Sequence, residues 1–192
     1  SSDYIFEDFN LIIPKGKHII VTGVNGSGKS TLLGLIAGVF YSDKGLIQVA
    51  STRLGYVGAS PMILNSTLRE NLLYGVQEDI NDAELNRMTS LFKLFNENEL
   101  QLDKRISNKS LSMGQMQKIA FIRSLLSKVE VLILDESTSN LDEESKQLIF
   151  KILEDKRMTI INSTHNKEDF KNMDLHIKIV ISDDGKRNLE VS

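Results

Sequence analysis

Residues 23–30 read Gly-Val-Asn-Gly-Ser-Gly-Lys-Ser, which fits the pattern G-x-x-x-x-G-K-[ST]. The β-branched run at residues 17–22 predicts a buried strand before this stretch, and the apolar spacing of residues 30–39 predicts a helix after it. In this setting, glycines let the backbone turn tightly so that successive N–H groups face phosphate oxygens. The context therefore favours a phosphate-binding loop over an ordinary glycine-rich turn.

The side chains of this loop predict its chemistry. Lys29 is expected to neutralise the β- and γ-phosphates of a nucleotide, and the Ser30 hydroxyl is expected to ligate Mg²⁺. The helix that follows adds free N–H donors and a favourable dipole at its N-terminus. The loop thus predicts binding of a nucleoside triphosphate with magnesium.

Short β-branched runs alternate with helical patterns along the rest of the chain, which is typical of a largely parallel α/β sheet flanked by helices. Further strands are predicted at residues 46–49, 53–57, 129–134 and 158–162, with a terminal hairpin of 176–181 and 187–191. Further helices are predicted at residues 67–74, 81–101, 113–126, 143–153 and 166–171. We expect one domain over residues 1–192, with a core of about 1–66 and 127–192 and a helical subdomain of about 67–126.

Composition excludes several classes of protein. The chain has 192 residues, 41% of them hydrophobic and 26% charged, which is the balance of a globular protein with a real core. A net charge of -3 argues against a nucleic-acid partner, and the absence of cysteine excludes a disulfide scaffold, a thiolate zinc site and a thiol nucleophile. No apolar run approaches the ~20 residues that span a membrane. The first residues form no signal peptide, and we expect them to be the cut end of a longer chain.

A second motif follows the apolar run at residues 131–134, where Asp135 and Glu136 come in succession. A carboxylate at the C-terminal end of a central strand is well placed to coordinate Mg²⁺ beside the phosphates, and Asp135 fits that role. Glu136 would then act as general base or water-orienting group toward an attacking water. An Asp-Glu pair after a strand is often a solvated turn, but its place downstream of a phosphate loop favours catalysis.

A third motif, Leu111-Ser112-Met113-Gly114-Gln115, matches the LSGGQ signature of ATP-binding-cassette (ABC) ATPases in four of five positions. Residues 139–142, Ser-Asn-Leu-Asp, resemble the D-loop of that family. His165, which follows a predicted strand, resembles its switch histidine. The chain therefore resembles the family from about Asn10 to His165. The resemblance implies a P-loop NTPase core with an antiparallel β part and an inserted helical subdomain.

The resemblance also implies how the site is assembled. Two such domains pair head to tail, with ATP and Mg²⁺ between them. His165 would contact the γ-phosphate and hold the attacking geometry with Glu136. On one subunit ATP would touch Gly23, Asn25, Gly26, Ser27, Gly28, Lys29, Ser30 and Thr31. The facing subunit would contribute Ser112, Gly114 and Gln115 from the signature and Ser139 and Asp142 from the D-loop.

Three positions depart from the family pattern. Aligned on Tyr56-Val57 and Pro61, the glutamine of the Q-loop, which normally reaches Mg²⁺ and links the site to a membrane partner, is replaced by Ala59. Met113 replaces a glycine of the signature and adds bulk there. Tyr4 is the only tyrosine near the place of the base-stacking aromatic, and it is the candidate for stacking on the adenine.

Residues 67–72, Thr-Leu-Arg-Glu-Asn-Leu, resemble a stretch of exporter-type ABC proteins, and they also fit an N-capped helix with a capping box. The resemblance thus implies the ATPase domain of an exporter, fused to a transmembrane domain in a longer chain at the cytoplasmic face of a membrane. A regulatory module that binds ATP with weak or no hydrolysis is the alternative. Ala59 and Met113 favour it, whereas Glu136 and His165 oppose it. A soluble ABC protein of DNA repair or translation is disfavoured by the lack of a coiled-coil insertion, a second cassette and basic excess.

Overall fold

A computed structural model describes residues 4–8, 10–96, 101–154, 157–164, 172–183 and 185–192. The chain divides into two compact units. The first unit comprises Ser1–Tyr56, Glu130–Glu136 and Lys156–Ser192, and the second comprises Val57–Val129 and Ser137–Asp155.

The described residues form eight strands and five helices. In chain order they are β1 (His18–Gly23), α1 (Lys29–Ile36), β2 (Leu54–Gly58), β3 (Ser66–Thr67), α2 (Leu68–Leu73), α3 (Asp82–Leu91), β4 (Arg105–Ile106), α4 (Met113–Leu126), β5 (Val131–Asp135), α5 (Glu143–Glu154), β6 (Thr159–Ser163), β7 (Leu175–Ile181) and β8 (Arg187–Val191). The predicted α/β fold class is confirmed.

A six-stranded sheet in the order β2-β5-β6-β1-β7-β8 organises the first unit. β1 pairs in parallel with β6 and β7, and β5 pairs in parallel with β6, whereas β8 runs antiparallel to β7 and closes the predicted terminal hairpin. Because the carboxyl ends of parallel strands meet at one edge, Gly23, Asp135 and Ser163 end their strands on the same side. That edge carries the candidate site.

The core of the first unit lies between this sheet and α1. Alternate residues of the β-branched strands point to one face, so that isoleucines and a valine from four strands meet two leucines of α1. The buried members of this cluster are Ile19, Val21, Leu32, Leu33, Ile133, Ile161, Ile177 and Ile179. Packing against the sheet fixes the start of α1, and with it the loop that precedes the helix.

The second unit is mainly helical, with a two-stranded ladder of β3 and β4. Thr67 caps α2 in a full capping box with Glu70, as the sequence predicts. The guanidinium of Arg123 on α4 donates to the carbonyl oxygens of Met62 (2.6 Å) and Asn71, which ties α4 to the segment around α2. A local cap and the half-buried guanidinium of Arg123 thus connect elements of this unit.

Three predicted elements differ from the structure. The helix predicted over residues 30–39 ends at Ile36, because Gly38 takes a left-handed conformation (φ 72°) and its amide bonds back to the Leu35 carbonyl oxygen. Residues 46–49 form no strand; they are irregular and Leu46 is 79% exposed. The helix predicted over residues 81–101 ends at Leu91, because Lys93 takes a left-handed conformation (φ 46°) and the amides of Lys93 and Leu94 bond back to the last turn. The helix predicted at 166–171 lies outside the described residues, and the predicted subdomain boundaries stay a prediction. None of the helices formed by the described residues combines the length and the apolar character that a membrane crossing requires.

Candidate functional site

The phosphate loop joins β1 to α1 through glycines in left-handed conformations. Gly26 has φ 76° and Gly28 has φ 104°, backbone conformations that L side chains rarely adopt. A Cβ at Gly28 would also lie 2.9 Å from the Phe6 ring. Gly28 is the N-cap residue of α1 and offers no side-chain cap, so the first N–H groups of the helix remain available to an anion.

One open cavity of about 410 Å³ lies over this loop in the first unit. Its lining brings six of the predicted nucleotide-binding residues together with the predicted catalytic carboxylate. The lining residues are Ile5, Asn25, Gly26, Gly28, Lys29, Ser30, Thr31, Glu136 and Arg187. A cavity of this size, with convergent N–H donors and two cations, is suited to a polyphosphate.

Two predicted loop residues do not line the cavity. A Cβ at Gly23 would lie 2.5 Å from Ser27 Oγ and 2.9 Å from the carbonyl oxygen of Ile179, so glycine is required there for close packing. Ser27 is fully buried, and within the described residues its hydroxyl has no hydrogen-bond partner. Gly23 and Ser27 therefore contribute to the packing of the loop and not to the lining of the cavity.

Lys29 is 5% exposed, and its ammonium is held inside the loop. Nζ donates to the carbonyl oxygens of Gly23 (3.0 Å) and Val24 (3.3 Å) and lies 4.0 Å from Glu136 Oε1. Burying a charge is costly unless it is paired, and neutral carbonyls compensate it only in part. The ammonium is therefore preorganised to exchange carbonyl partners for an anion.

Asp135 ends β5 and accepts hydrogen bonds from three hydroxyl groups. Ser30 Oγ (3.1 Å) and Ser163 Oγ (2.7 Å) donate to Oδ1, and Tyr56 Oη (2.7 Å) donates to Oδ2. Burial raises the pKa of Tyr56, and the bond to Asp135 and its negative charge raise that pKa further. Tyr56 therefore remains a protonated donor at neutral pH.

The donor set of Ser30 and Asp135 fits a magnesium ion. Mg²⁺ prefers oxygen ligands and is usually held by one or two protein groups together with waters and phosphate oxygens. The described residues contain no group of three or more acidic or histidine side chains that would hold a metal by themselves. A site built from Ser30, Asp135 and a nucleotide is consistent with that finding.

Glu136 follows β5 in a left-handed conformation with φ 51°. Its amide donates to the carbonyl oxygen (3.3 Å) and the hydroxyl (3.1 Å) of Ser163, which hold the strained backbone in place. Such a conformation costs on the order of 1–3 kcal/mol in a non-glycine residue and is concentrated at functional sites. The side chain lines the cavity, as expected for a group that acts on a substrate.

The predicted signature residues lie in the second unit, at the start of α4. Ser112 Oγ accepts from the Gln115 amide (3.2 Å), and Gln115 Oε1 accepts from the Ser112 amide (2.9 Å), so the two form a capping box. A Cβ at Gly114 would make only ordinary contacts, the nearest 3.6 Å away, with the carbonyl oxygen of Asn140. Met113, the first residue of α4, is partly exposed.

The D-loop candidates also lie in the second unit. Asp142 accepts from the Ser145 amide (2.7 Å) and hydroxyl (3.1 Å), and these two bonds, the amide first, hold the pKa of Asp142 below its usual range. Ser139 is exposed. Asp142 thus stabilises the start of α5.

Ala59, which aligns with the Q-loop glutamine, accepts a hydrogen bond through its carbonyl oxygen from Gln117 Nε2 at 3.5 Å.

The remaining predictions concern Tyr4 and His165. Tyr4 is 43% exposed, and Lys44 Nζ lies 5.7 Å from its ring centroid. Ile5 lines the cavity, whereas Tyr4 is not among its lining residues. His165 lies outside the described residues.

Sequence reasoning missed three residues of the site. Tyr56 served only as an alignment anchor, yet its hydroxyl holds Asp135. Arg187 donates to the carbonyl oxygens of the phosphate loop, and Ile5 lines the cavity. Only Tyr56 carries a sequence signal, as a tyrosine within a predicted strand and next to the Q-loop region, because Ile5 and Arg187 belong to no motif.

Comparison with known proteins identifies relatives of the chain. A family model described as ABC transporter matches residues 6–139. The ATP-dependent permease MDL1 of Candida albicans is 33% identical, over 95% of this chain and 29% of its own length. The transport/processing ATP-binding protein ComA of Streptococcus pneumoniae is 30% identical, over 95% of this chain and 27% of its own length. The chain thus spans less than a third of either relative.

A solved structure of a bacterial Atm1-family ABC exporter with ATP bound shares the fold. Its TM-score is 0.79 at 22% identity, over 92% of this chain and 34% of that chain. The likeness in fold covers both units of the chain.

Proposed function

This chain belongs to the ABC transporter family, and we propose that it is the ATP-hydrolysing domain of an exporter in that family. The observation that carries the proposal is the cavity in which Lys29, Ser30 and Glu136 converge, with Asp135 bonded to Ser30. A cation, a hydroxyl and two carboxylates in this arrangement are the groups that phosphoryl transfer from ATP to water requires.

Binding begins with the phosphates of ATP entering the cavity. The Gly28 amide and the first turn of α1 donate to them, and Lys29 Nζ exchanges its two carbonyl partners for phosphate oxygens. Mg²⁺, held by Ser30 and Asp135, would neutralise charge on the phosphates. Tyr56 and Ser163 keep the Asp135 carboxylate oriented toward Ser30 throughout.

Hydrolysis then requires a water in line with the γ-phosphate. The Glu136 carboxylate, which the backbone directs into the cavity, orients that water and accepts its proton. The water oxygen bonds to the γ-phosphorus as the bond to the β–γ bridging oxygen breaks, and ADP leaves with that oxygen. Lys29 stabilises the charge that develops on the transferred group. The family resemblance implies that His165 would contact the γ-phosphate.

We further propose the partners that the family resemblance implies. A second nucleotide-binding domain would pair head to tail with this one, presenting Ser112, Gly114 and Gln115 to the ATP of its partner, with Ser139 and Asp142 in the D-loop. A transmembrane domain in the same longer chain would hold the single ATPase domain at the cytoplasmic face of a membrane. No nucleic-acid partner is proposed, since the net charge is -3.

The test is the variant Glu136→Gln, measured for both ATP turnover and ATP affinity. Removing the carboxylate is expected to slow turnover by about 10², at the low end of general-base effects. ATP affinity should stay within about twofold, and an ATP-bound dimer should accumulate on gel filtration. Glu154→Gln, the same change at an exposed position on α5, is the control and should behave as the parent. A Glu136→Gln variant that hydrolyses ATP at the parental rate would contradict the assignment.

A regulatory module that binds ATP without turning it over is the second candidate. Ala59 at the Q-loop position and Met113 in the signature favour it. Steady-state hydrolysis by the parent chain separates the two. ATP binding and dimer formation with no phosphate release above the level of Glu136→Gln would support the regulatory module.

A further inference from the structure

Arg187 lies where the terminal hairpin meets the phosphate loop. It is the first residue of β8 and stands opposite Ile181 of β7, so the hairpin fixes its backbone. Its Nε donates to the Ser27 carbonyl oxygen at 3.1 Å, and its Nη2 lies 3.4 Å from the Gly26 carbonyl oxygen. The half-buried side chain also lines the cavity that holds Lys29.

These two bonds act on the orientation of peptide groups. In a trans peptide the carbonyl and the N–H point in opposite directions, so fixing one oxygen fixes the next amide. The Ser27 carbonyl shares its peptide group with the Gly28 amide, which is therefore turned away from Arg187. The Gly26 carbonyl shares its peptide group with the Ser27 amide, which donates to Val24 at 3.1 Å.

An outside contact is needed here because the loop is rich in glycine. Gly26 and Gly28 adopt positive φ angles, and because glycine has no Cβ its backbone moves between conformations at low energetic cost. A loop of this kind loses backbone entropy when it closes on a ligand unless the rest of the fold already holds it. Guanidinium donors are charged and fixed in a planar fork, which suits them to hold two carbonyls at once.

The charge of Arg187 has a second effect. Among the described residues that line the cavity, Lys29 and Arg187 are cationic and Glu136 is anionic, so the lining carries one net positive charge. Without Arg187 it would be neutral. A polyphosphate is thus attracted by a residue that sits outside every recognised motif of the sequence.

We propose that Arg187 is a positioning residue of the nucleotide site. It ties the phosphate loop to the β7–β8 hairpin, holds the Gly28 amide toward the incoming phosphate, and supplies the cavity with its net positive charge. The proposal rests on the proposed function in so far as the ligand is the polyphosphate of ATP.

The experiment compares Arg187→Met and Arg187→Lys with Lys178→Met in the full chain. Lys178 lies on the same hairpin, is exposed and pairs with Glu190, so its replacement removes one positive charge that is not part of the cavity lining. Affinity for Mg-ATP is measured by calorimetry, and amide hydrogen exchange at residues 24–28 is measured without nucleotide. Thermal unfolding reports on the fold of each variant.

Arg187→Met is expected to bind Mg-ATP about tenfold more weakly, the effect of one lost hydrogen bond from a charged donor. Exchange at residues 24–28 should accelerate while the thermal midpoint stays near that of Lys178→Met. Arg187→Lys should recover part of the affinity, since lysine keeps the positive charge and can donate a hydrogen bond to one loop carbonyl. Lys178→Met should match the parent in affinity and in exchange.

Equal ATP affinity in Arg187→Met and Lys178→Met would overturn the proposal. So would faster exchange along the whole hairpin with a lowered thermal midpoint, which would reduce Arg187 to a structural role. Failure of the parent chain to bind Mg-ATP would contradict the proposed function instead. The exchange comparison at residues 24–28 would still decide whether Arg187 holds the loop.

Discussion

The phosphate-loop cavity and the signature at the start of α4 are both sites that sequence motifs predict, yet they are held together differently. In the cavity, partners come from far along the chain: Tyr56 reaches Asp135 over 79 residues and Arg187 reaches Ser27 over 160. At the signature, Ser112 and Gln115 bond to one another over 3 residues, and Gln115 Nε2 also donates to the carbonyl oxygen of Leu94, 21 residues away. The cavity is therefore a property of the folded first unit, whereas the capping box of the signature forms within one helix end.

The two regions therefore differ in how ready their side chains are to bind a ligand. Polar groups in the cavity are oriented by distant residues toward a common open space, which suits them to bind a ligand. The side chains of Ser112 and Gln115 already bond to backbone amides in the capping box of α4. Their role within this chain is therefore structural until a ligand replaces those hydrogen bonds. Substitutions in the two regions should accordingly differ in what they change.

Lys29→Ala is expected to have the largest effect. The phosphates lose a buried cation that water does not replace, so ATP affinity should fall by roughly 100-fold, the scale of one strong charge-assisted bond. Calorimetry with Mg-ATP measures it, and the thermal midpoint checks that the fold survives. Unchanged Mg-ATP affinity in Lys29→Ala would show that this cavity is not the nucleotide site.

Tyr56→Phe tests whether distant partners tune the cavity. It deletes only the hydroxyl that donates to Asp135, and loss of such an outer partner of a metal ligand typically costs about tenfold in metal affinity. Mn²⁺ binding in the presence of ADP, followed by electron paramagnetic resonance, is the measurement. Tyr41→Phe removes a hydroxyl at a 92% exposed position and serves as control. Identical Mn²⁺ titrations for the two variants would show that metal binding at Asp135 does not depend on the Tyr56 hydroxyl.

Ser112→Ala is expected to have the smallest effect on binding and to act on stability instead. Loss of the N-cap should cost about 1 kcal/mol, or roughly 2–4 °C in thermal midpoint for a chain of this size. Ser112→Asn keeps a capping side chain and should stay near the parent. ATP affinity of the monomer should match the parent in both variants, since the cap has local partners. A loss of monomer affinity as large as that of Tyr56→Phe would break the distinction between the two regions.

The sequence by itself determined the local features of this protein. The phosphate loop, the carboxylates after β5 and the Ser112 cap each depend on residues a few positions apart, so their spacing is visible in the chain. The alternation of strands and helices likewise follows from periodicity, which is why the α/β fold class was predictable.

Only the tertiary structure decided which distant groups meet. No spacing pattern links Arg187 to Ser27 or Tyr56 to Asp135, because such bonds depend on strand order and register. The same holds for the end of α3, where the left-handed turn at Lys93 overrides a helical pattern that continues in the sequence. Backbone conformation and contacts across the fold are set by packing, and packing is a property of the whole chain rather than of any short window within it.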